Sequence, residues 1–299
     1  MPIEHVTAAV DLGKSRCRVA VITPDGRETY TDAGTPGLAV ADGAASAAAV
    51  ILPLLTRAQR VDRIGVGAAG AWTAPRAAAV LARTLADATG AHVAVASDVV
   101  TAHVGAMDGA SGTLLIAGTG AVALGVDADG LRLVDGWGPD LGDLGSGSWI
   151  GREGARAVLR ARDALGADTA LTDAVRAHIA PHPDPITWLA GDTPTARQLA
   201  TLAPLVLDVA ADGDAVAADI VAEAVRLLTA SALAASDRVH EVAIHGGLTN
   251  HPWFRTELEG ALAAAGRTVV DAVGDAFDGA VLLAHRTDMP HERYVQRAE

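Results

Sequence analysis

A stretch near the middle of the chain, residues 135–151, constrains the rest of the sequence more than any other. It reads DGWGPDLGDLGSGSWIG, with six glycines in seventeen residues. Glycine lets the backbone approach a ligand closely, and an ionised Asp accepts several hydrogen bonds. The next residues, REGARAVLRARDAL from Arg152 onward, predict a helix whose N-terminal N–H groups favour anions. A plain surface loop is the alternative, but it gives no reason for Trp137 and Trp149 beside Asp143. We therefore expect this signature stretch to bind a ligand.

The signature stretch resembles that of the N-acetylglucosamine kinase family, which is grouped with the BadF/BadG/BcrA/BcrD ATPases in the superfamily of actin, hexokinase and heat-shock ATPases. The matching runs are Gly136-Trp137-Gly138-Pro139, Leu141-Gly142-Asp143, Gly145-Ser146-Gly147 and Trp149-Ile150-Gly151-Arg152-Glu153. The resemblance implies an α/β, two-lobed actin-like ATPase (ribonuclease H-like) fold with a cleft between the lobes. Because MDGASG near residues 107–112 is typical of a linker, we expect an N-terminal lobe over residues 1–106 and a C-terminal lobe over residues 107–299.

The charge and cysteine content of the chain exclude several classes of protein. The net charge is −13 and no basic run occurs, so we expect no binding of nucleic acid or of anionic membranes by bulk charge. Any phosphate must be held by local N–H groups and a cation. Cys17 is the single cysteine, which excludes disulfides within the chain and cysteine-cluster metal sites. The iron–sulfur branch of the resembled ATPases is excluded for the same reason.

Targeting signals are not evident in the sequence. The first residues, MPIEHVTAAVD, lack a basic segment followed by a long apolar one, and no apolar run reaches membrane-spanning length. We expect a cytoplasmic protein.

Two glycine-containing hairpins are predicted, one in each expected lobe. The first joins apolar runs around Val10 and Val19 through DLGKSR, and an ordinary hairpin is the alternative interpretation. By resemblance it is the first phosphate loop: Asp11 holds Mg²⁺ through water, and Gly13 and Ser15 approach the phosphates of ATP. The sequence departs from the family at Leu12 and Lys14, where the family has glycine. Lys14 either adds a charge to the phosphates or points to solvent.

The second hairpin lies just before the signature stretch, in TLLIAGTGAVALGV. By resemblance its turn, Gly118-Thr119-Gly120, is the second phosphate loop, although Ala121 replaces the usual Ser. Gly246 and Gly247 follow a predicted strand and match the glycine pair that borders the nucleoside of ATP.

Asp98 lies where a predicted strand gives way to an Ala/Val-rich helix. One interpretation is a helix N-cap, because Ser and Asp are favoured there. The other comes from the resemblance, which makes Asp98 the catalytic base that accepts the proton of the attacking hydroxyl. We interpret His103, farther along the same helix, as a packing or rim residue.

The resemblance implies a Mg²⁺- and ATP-dependent kinase that phosphorylates an amino sugar, N-acetylglucosamine at its 6-hydroxyl, with the sugar held by Gly136, Trp137 and Asp143. The family's Asn near residues 30–45 is missing, so glucosamine, glucose, mannosamine or another hexose stays open as the acceptor. An ATP-gated regulatory or switch protein of the same fold is the alternative of another class, but no helix-turn-helix extension or basic tail supports it. Relatives of this kind are commonly homodimers.

Overall fold

The computed structural model describes residues 5–58, 60–191 and 193–299. Its strands are β1 (Thr7–Leu12), β2 (Arg16–Thr23), β3 (Gly26–Ala33), β4 (Arg63–Ala68), β5 (His92–Ala96), β6 (Gly112–Ala117), β7 (Ala121–Asp127), β8 (Gly130–Asp135), β9 (Glu241–His245), β10 (Thr268–Val270) and β11 (Gln296–Ala298). Its helices are α1 (Gly43–Leu55), α2 (Pro75–Thr89), α3 (Asp98–Ala106), α4 (Gly147–Arg162), α5 (Leu171–Ile179), α6 (Pro185–Leu189), α7 (Thr195–Ala200), α8 (Ala203–Ala211), α9 (Ala215–Ala235), α10 (Pro252–Ala264) and α11 (Ala276–His285).

The strands form two sheets with the same internal order. One sheet runs β11-β5-β4-β1-β2-β3 and the other runs β10-β9-β6-β7-β8. If the strands of each sheet are numbered in chain order from its own first strand, both lists contain the order fifth, fourth, first, second, third. The α/β fold with two related halves, which the resemblance implies, is therefore confirmed although the sequence shows no repeat.

The first compact unit contains Met1–Ser111, Val126–Leu131 and Asp271–Glu299. In its sheet β1 pairs parallel to β4 and antiparallel to β2, and β4 pairs parallel to β5. Apolar side chains of the strands pack with those of α1 and α2 in a continuous core, which includes Leu12, Ile51, Ile64, Leu81 and Val95. The parallel strands end together, and the turns that follow them lie at one edge of the sheet.

Helix α11 packs against this first sheet and against α3 through glycines. A Cβ atom at Gly65 would lie 1.8 Å from the carbonyl oxygen of Ala280, and one at Gly279 would lie 1.9 Å from that of Thr101. Only glycine permits such backbone contact. The C-terminal segment thus belongs to the first compact unit, because this packing joins residues far apart in the sequence.

The second compact unit contains Gly112–Gly125 and Arg132–Val270. Its central strand β6 pairs parallel to β9, which in turn pairs parallel to β10. The sheet buries its apolar residues against several helices, and the core includes Leu115, Ile150, Val206, Leu228 and Phe254. Throughout the described part of the chain, no helix combines the length and apolar character needed to cross a membrane.

The structure corrects the predicted start of the helix after the signature stretch. The prediction that it begins at Arg152 is wrong, because α4 begins at Gly147 with Ser146 as its N-cap. The Ser146 hydroxyl oxygen accepts a hydrogen bond from the Trp149 N–H at 3.2 Å. The last five residues of the signature stretch are therefore helical, although their glycines suggested a loop.

Candidate active site

The first glycine turn, residues 13–15, joins β1 to β2 in the first unit. The Gly13 N–H donates to the Arg16 carbonyl oxygen at 2.9 Å, and the Gly13 carbonyl oxygen accepts from the Thr35 N–H at 3.3 Å. Lys14 and Ser15 are exposed. Gly34 lies directly against this turn, since a Cβ atom there would come 2.3 Å from the Gly13 carbonyl oxygen. Gly34 stands in no motif of the sequence, and its role depends on this contact.

Leu12 and Lys14, the two departures from the family pattern, have different environments. The Leu12 side chain is fully buried in the core of the first unit, so it replaces a family glycine with a packing residue. Lys14 is exposed at the tip of the turn. The substitution at position 12 therefore leaves the exposed surface of the turn unchanged.

Asp11 lies on β1 directly before the first glycine turn, opposite Arg18 on β2. Its Oδ2 atom accepts hydrogen bonds from Arg18 Nε at 3.1 Å and from Arg18 Nη2. The carboxylate is half-buried and ion-paired with a residue that itself stacks on the Phe277 ring. Within the described ranges, no three His, Cys, Asp or Glu side chains group closely enough to form a metal site by themselves.

Asp98 is the first residue of α3, and the N-cap position belongs to Ser97. Its Oδ1 atom accepts hydrogen bonds from the Ser97 hydroxyl and the Val99 N–H, both at 2.9 Å. Burial raises the pKa of Asp98 above its ordinary value of 3.8; these hydrogen bonds lower it and the negative charge of Asp11 raises it further. The first unit thus brings Asp11 and Asp98 near enough to interact. A carboxyl group with a raised pKa is a stronger proton acceptor once it is ionised.

The second glycine turn, residues 118–120, joins β6 to β7 in the second unit and rests on the N-terminus of α4. The carbonyl oxygens of Gly118 and Thr119 accept hydrogen bonds from the N–H groups of Gly147 and Ser148, at 2.8 and 3.1 Å. The Gly118 N–H donates to the Gly120 carbonyl oxygen at 2.9 Å. The helix start therefore fixes the turn from one side, and Thr119 is exposed on the other.

Gly246 and Gly247 follow β9, beside the second glycine turn. Gly246 has a φ of 118°, and a Cβ atom there would lie 2.3 Å from the Ala117 carbonyl oxygen. The Thr249 hydroxyl donates to the Gly246 carbonyl oxygen at 2.8 Å. Gly247 is exposed, and a Cβ atom there would meet nothing within 4 Å. The first glycine of the pair is required by packing, while the second leaves open space.

The signature stretch folds back on the second glycine turn. A Cβ atom at Gly120 would lie 2.9 Å from Oδ2 of Asp143, so this carboxylate lies directly beside the turn. Gly136 has a φ of 72°, and Trp137 is 64% exposed. Both of them precede the loop that carries Asp143. The second unit therefore gathers the second glycine turn, the glycine pair and the carboxylate of Asp143.

Asp135 is a residue of the same site that the sequence analysis did not single out. Its carboxylate accepts hydrogen bonds from the N–H groups of Asp143 and Leu144. It is the first residue of the signature stretch, so the available signal was an acidic residue directly before a glycine. That signal alone does not identify the partners.

Comparison with known proteins assigns the chain to a protein family. The sequence profile of the BadF/BadG/BcrA/BcrD ATPase family matches residues 10–284. The chain belongs to that family. The second glycine turn, the signature stretch and the glycine pair all fall inside the matched part of the chain.

Two curated relatives share part of their sequence with this member of the BadF/BadG/BcrA/BcrD ATPase family. An N-acetyl-D-glucosamine kinase of Dictyostelium discoideum is 36% identical over 121 residues, which are 39% of this chain and 38% of the relative. An N-acetylmuramic acid/N-acetylglucosamine kinase of Clostridium acetobutylicum is 30% identical over 139 residues, 46% of this chain and 45% of the relative. The matched segments thus span less than half the length of these curated relatives.

Solved structures resemble this chain over nearly its whole length. A protein of Chromobacterium violaceum, provisionally named N-acetylglucosamine kinase, has a TM-score of 0.75 at 27% identity, covering 94% of this chain and 99% of that one. A protein of Porphyromonas gingivalis with the same provisional name has a TM-score of 0.70 at 17% identity, covering 94% and 98%. The second likeness concerns the fold alone.

Proposed function

We propose that this protein transfers the γ-phosphoryl group of ATP to a hydroxyl group of an amino sugar, and that the sugar is N-acetylglucosamine with its 6-hydroxyl as acceptor. One observation carries the proposal. In the second unit the carboxylate of Asp143 lies beside Gly120 of the second glycine turn, and a carboxylate there could accept hydrogen bonds from sugar hydroxyls next to a turn that we propose binds phosphate. Family membership and the names of the relatives support the same reaction.

Asp98 is proposed as the catalytic base. The oxygen of the sugar hydroxyl forms a bond to the γ-phosphorus, the bond from that phosphorus to the β–γ bridging oxygen breaks, and ADP leaves with the electron pair. The hydroxyl proton moves to the Asp98 carboxylate. Hydrogen bonds from Ser97 and Val99 fix one carboxylate oxygen, which would leave the other to accept the proton.

The two glycine turns are proposed to hold the phosphates of ATP. In the first turn, Gly13 provides the close approach, and exposed Lys14 and Ser15 provide a charge and a hydroxyl. In the second turn, N–H groups at the start of α4 donate hydrogen bonds to the carbonyl oxygens of Gly118 and Thr119. Phosphate would therefore approach the opposite edge of this turn.

The nucleoside and the sugar are proposed to contact glycine-rich segments of the second unit. Gly246 and Gly247 would border the nucleoside, because open space adjoins Gly247. Gly136 and Trp137 would contact the sugar, because Trp137 offers an exposed aromatic surface.

Asp11 is proposed to hold hydrated Mg²⁺, and its donor atoms fit that role. Both hydrogen bonds from Arg18 reach Oδ2, so Oδ1 remains to accept a hydrogen bond from a metal-bound water. Carboxylate oxygen is the ligand type that Mg²⁺ prefers. When bound, Mg²⁺ supplies charge neutralisation for the β- and γ-phosphate oxygens.

An ADP-release assay over a panel of sugars tests the proposal. The panel contains N-acetylglucosamine, N-acetylmuramic acid, N-acetylmannosamine, glucosamine and glucose, each with Mg²⁺ and ATP. We expect the largest kcat/KM for N-acetylglucosamine, with the phosphate on the 6-oxygen by NMR of the product. A higher kcat/KM for another sugar would correct the acceptor. No turnover with any of them would contradict the amino-sugar kinase and favour either another hexose as acceptor or a regulatory protein.

We also propose that the protein is a cytoplasmic homodimer, in line with the sequence analysis. Sedimentation equilibrium of the purified chain and fractionation of the source cells test the two statements separately.

A further inference from the structure

Asp135 occupies an unusual position at the end of β8. Its backbone has a left-handed φ of 63° and its side chain is buried, with 3% of the residue exposed. Oδ1 accepts a hydrogen bond from the Asp143 N–H at 2.9 Å, and Oδ2 accepts one from the Leu144 N–H at 2.7 Å. The two oxygens of one carboxylate therefore clamp two successive peptide groups.

The clamp holds a strained part of the signature stretch. Asp143 itself has a φ of 54°, a conformation that costs free energy for a residue with a side chain. Gly142 makes room for the clamp, because a Cβ atom there would lie 2.4 Å from Oδ1 of Asp135. The hydrogen bonds to Asp135 thus stabilise a backbone conformation that the loop would otherwise leave.

That conformation decides where the Asp143 side chain lies. The Asp143 carboxylate sits beside Gly120, with both oxygens about equally close to the space that a Cβ atom would fill, at 2.9 and 3.1 Å. A change of φ at Asp143 would swing this carboxylate away from the second glycine turn. Asp135 consequently determines, through the backbone of the loop, where the Asp143 carboxylate lies relative to the second glycine turn.

The environment of Asp135 argues against a general stabilising ion pair. In the part of the chain that the structure describes, no Lys, Arg or His pairs with its carboxylate. Burial of a carboxylate is costly unless its oxygens are hydrogen-bonded. The two N–H groups of the loop are the partners that offset this cost, so the carboxylate and the loop conformation depend on each other.

We infer that Asp135 is a positioning residue: it fixes Asp143 against the second glycine turn and in this way sets the affinity for the sugar. The effect on sugar affinity rests on the proposed function, whereas the positioning of Asp143 rests on the hydrogen bonds of Asp135 alone. Asp135 would contact neither sugar nor ATP.

Three variants distinguish the loss of the two hydrogen bonds of Asp135 from the loss of a negative charge and from a change in backbone strain. Asp135→Asn keeps the size of the side chain and tolerates a positive φ, but its amide group replaces one acceptor with a donor. Asp135→Gly also keeps the φ and removes both acceptors. Asp140→Asn is the control, because Asp140 is an exposed residue of the same stretch and its replacement removes the same charge.

Steady-state kinetics with sugar and ATP varied in turn give the first readout. We expect the sugar KM to rise about tenfold in Asp135→Asn and at least as much in Asp135→Gly, as for the loss of one charge-assisted hydrogen bond. The ATP KM and kcat should change much less, and Asp140→Asn should match the wild type. A purely structural role would lower the melting temperature and leave the sugar KM of the folded enzyme unchanged, which would overturn the inference.

Hydrogen–deuterium exchange at the Asp143 and Leu144 amides gives a second readout that needs no substrate. We expect exchange at these amides to be about tenfold faster in Asp135→Gly than in the wild type, with no change in Asp140→Asn. Equal rates would overturn the clamp. If the wild type phosphorylates no sugar, the proposed function fails, and the exchange rates still decide whether Asp135 fixes Asp143.

Discussion

Asp98 combines a raised pKa with two hydrogen bonds that hold its orientation. If it accepts the hydroxyl proton, Asp98→Asn should lower kcat by roughly 10²–10⁴-fold and leave the affinities for ATP and sugar nearly unchanged. The amide has the size of the carboxylate but cannot take the proton. Stopped assays at saturating ATP and sugar measure this change.

A matched control for Asp98→Asn is available at another helix start. Asp214 caps α9, where its carboxylate accepts hydrogen bonds from the Ala217 and Ala170 N–H groups and from the Thr169 hydroxyl. Asp214→Asn should cost about 1–2 kcal/mol of stability and leave kcat unchanged. A folded Asp98→Asn protein with near-normal kcat would assign Asp98 to helix structure alone.

The pKa of Asp98 also predicts the pH profile. If Asp98 is the base, it works only when ionised, so kcat/KM should fall as the pH drops through the pKa of Asp98, which lies above its ordinary value of 3.8. Asp11 contributes to that increase by its negative charge. Asp11→Asn should therefore lower the pKa of Asp98 and move the acid limb of the profile to lower pH, even if the maximal rate falls. An acid limb that stays in place would show that Asp11 does not influence the base.

The residues of the site were only partly predictable. Asp98, Asp143 and the two glycine turns occur in motifs that a sequence displays directly. Asp135 and Gly34 could not be found in this way, because their roles depend on contacts with Asp143 and Gly13 that only the folded chain creates. A carboxylate that binds backbone N–H groups leaves no spacing pattern.

At the scale of elements, sequence patterns predicted the strands of the two glycine hairpins and the helix at Asp98, but not β3, β11, the short helix α6 or the true start of α4. Strand β3 is exposed at all but one position, so it has no apolar alternation, and its pairing with β2 defines it. Strand β11 has three residues and pairs with β5. Elements that depend on a neighbour, rather than on their own burial, give no periodic signal.

The second glycine turn permits a matched pair of substitutions. A Cβ atom at Gly120 would lie 2.9 Å from the Asp143 carboxylate, whereas one at Gly118 would find its nearest neighbour at 3.9 Å. Gly120→Ala should therefore displace Asp143 and raise the KM for sugar as well as for ATP. Gly118→Ala should raise only the KM for ATP, if phosphate approaches the turn there. Equal sugar KM values in both variants would show that the second glycine turn does not position Asp143.

At the scale of the molecule, helix α11 links the C-terminal segment to α3, the helix of Asp98. It contacts α3, which begins with Asp98, through Gly279 and Gly105. Gly279→Ala should lower the free energy of unfolding by about 1–3 kcal/mol, the usual cost of overpacking, and reduce kcat because α3 must shift. Urea unfolding and kinetics of the folded protein measure both effects.

Gly260→Ala is the control for this substitution. Gly260 lies within α10, and a Cβ atom there would meet nothing within 4 Å. The change should raise stability by up to about 1 kcal/mol, because alanine favours helix more than glycine does. Equal effects of the two substitutions would contradict the close packing of α11.

The return of the C-terminal segment to the first unit has a consequence for biosynthesis. Residues 112–270 are synthesised before Asp271–Glu299, so all strands of the second unit are made before α11 and β11. The first unit begins earlier but waits for α11 and β11. At ordinary translation rates this delay is on the order of ten seconds. The unit made first in the cell is thus the unit completed last, and until then the glycine-lined surfaces of β4 and α3 are open to chaperones.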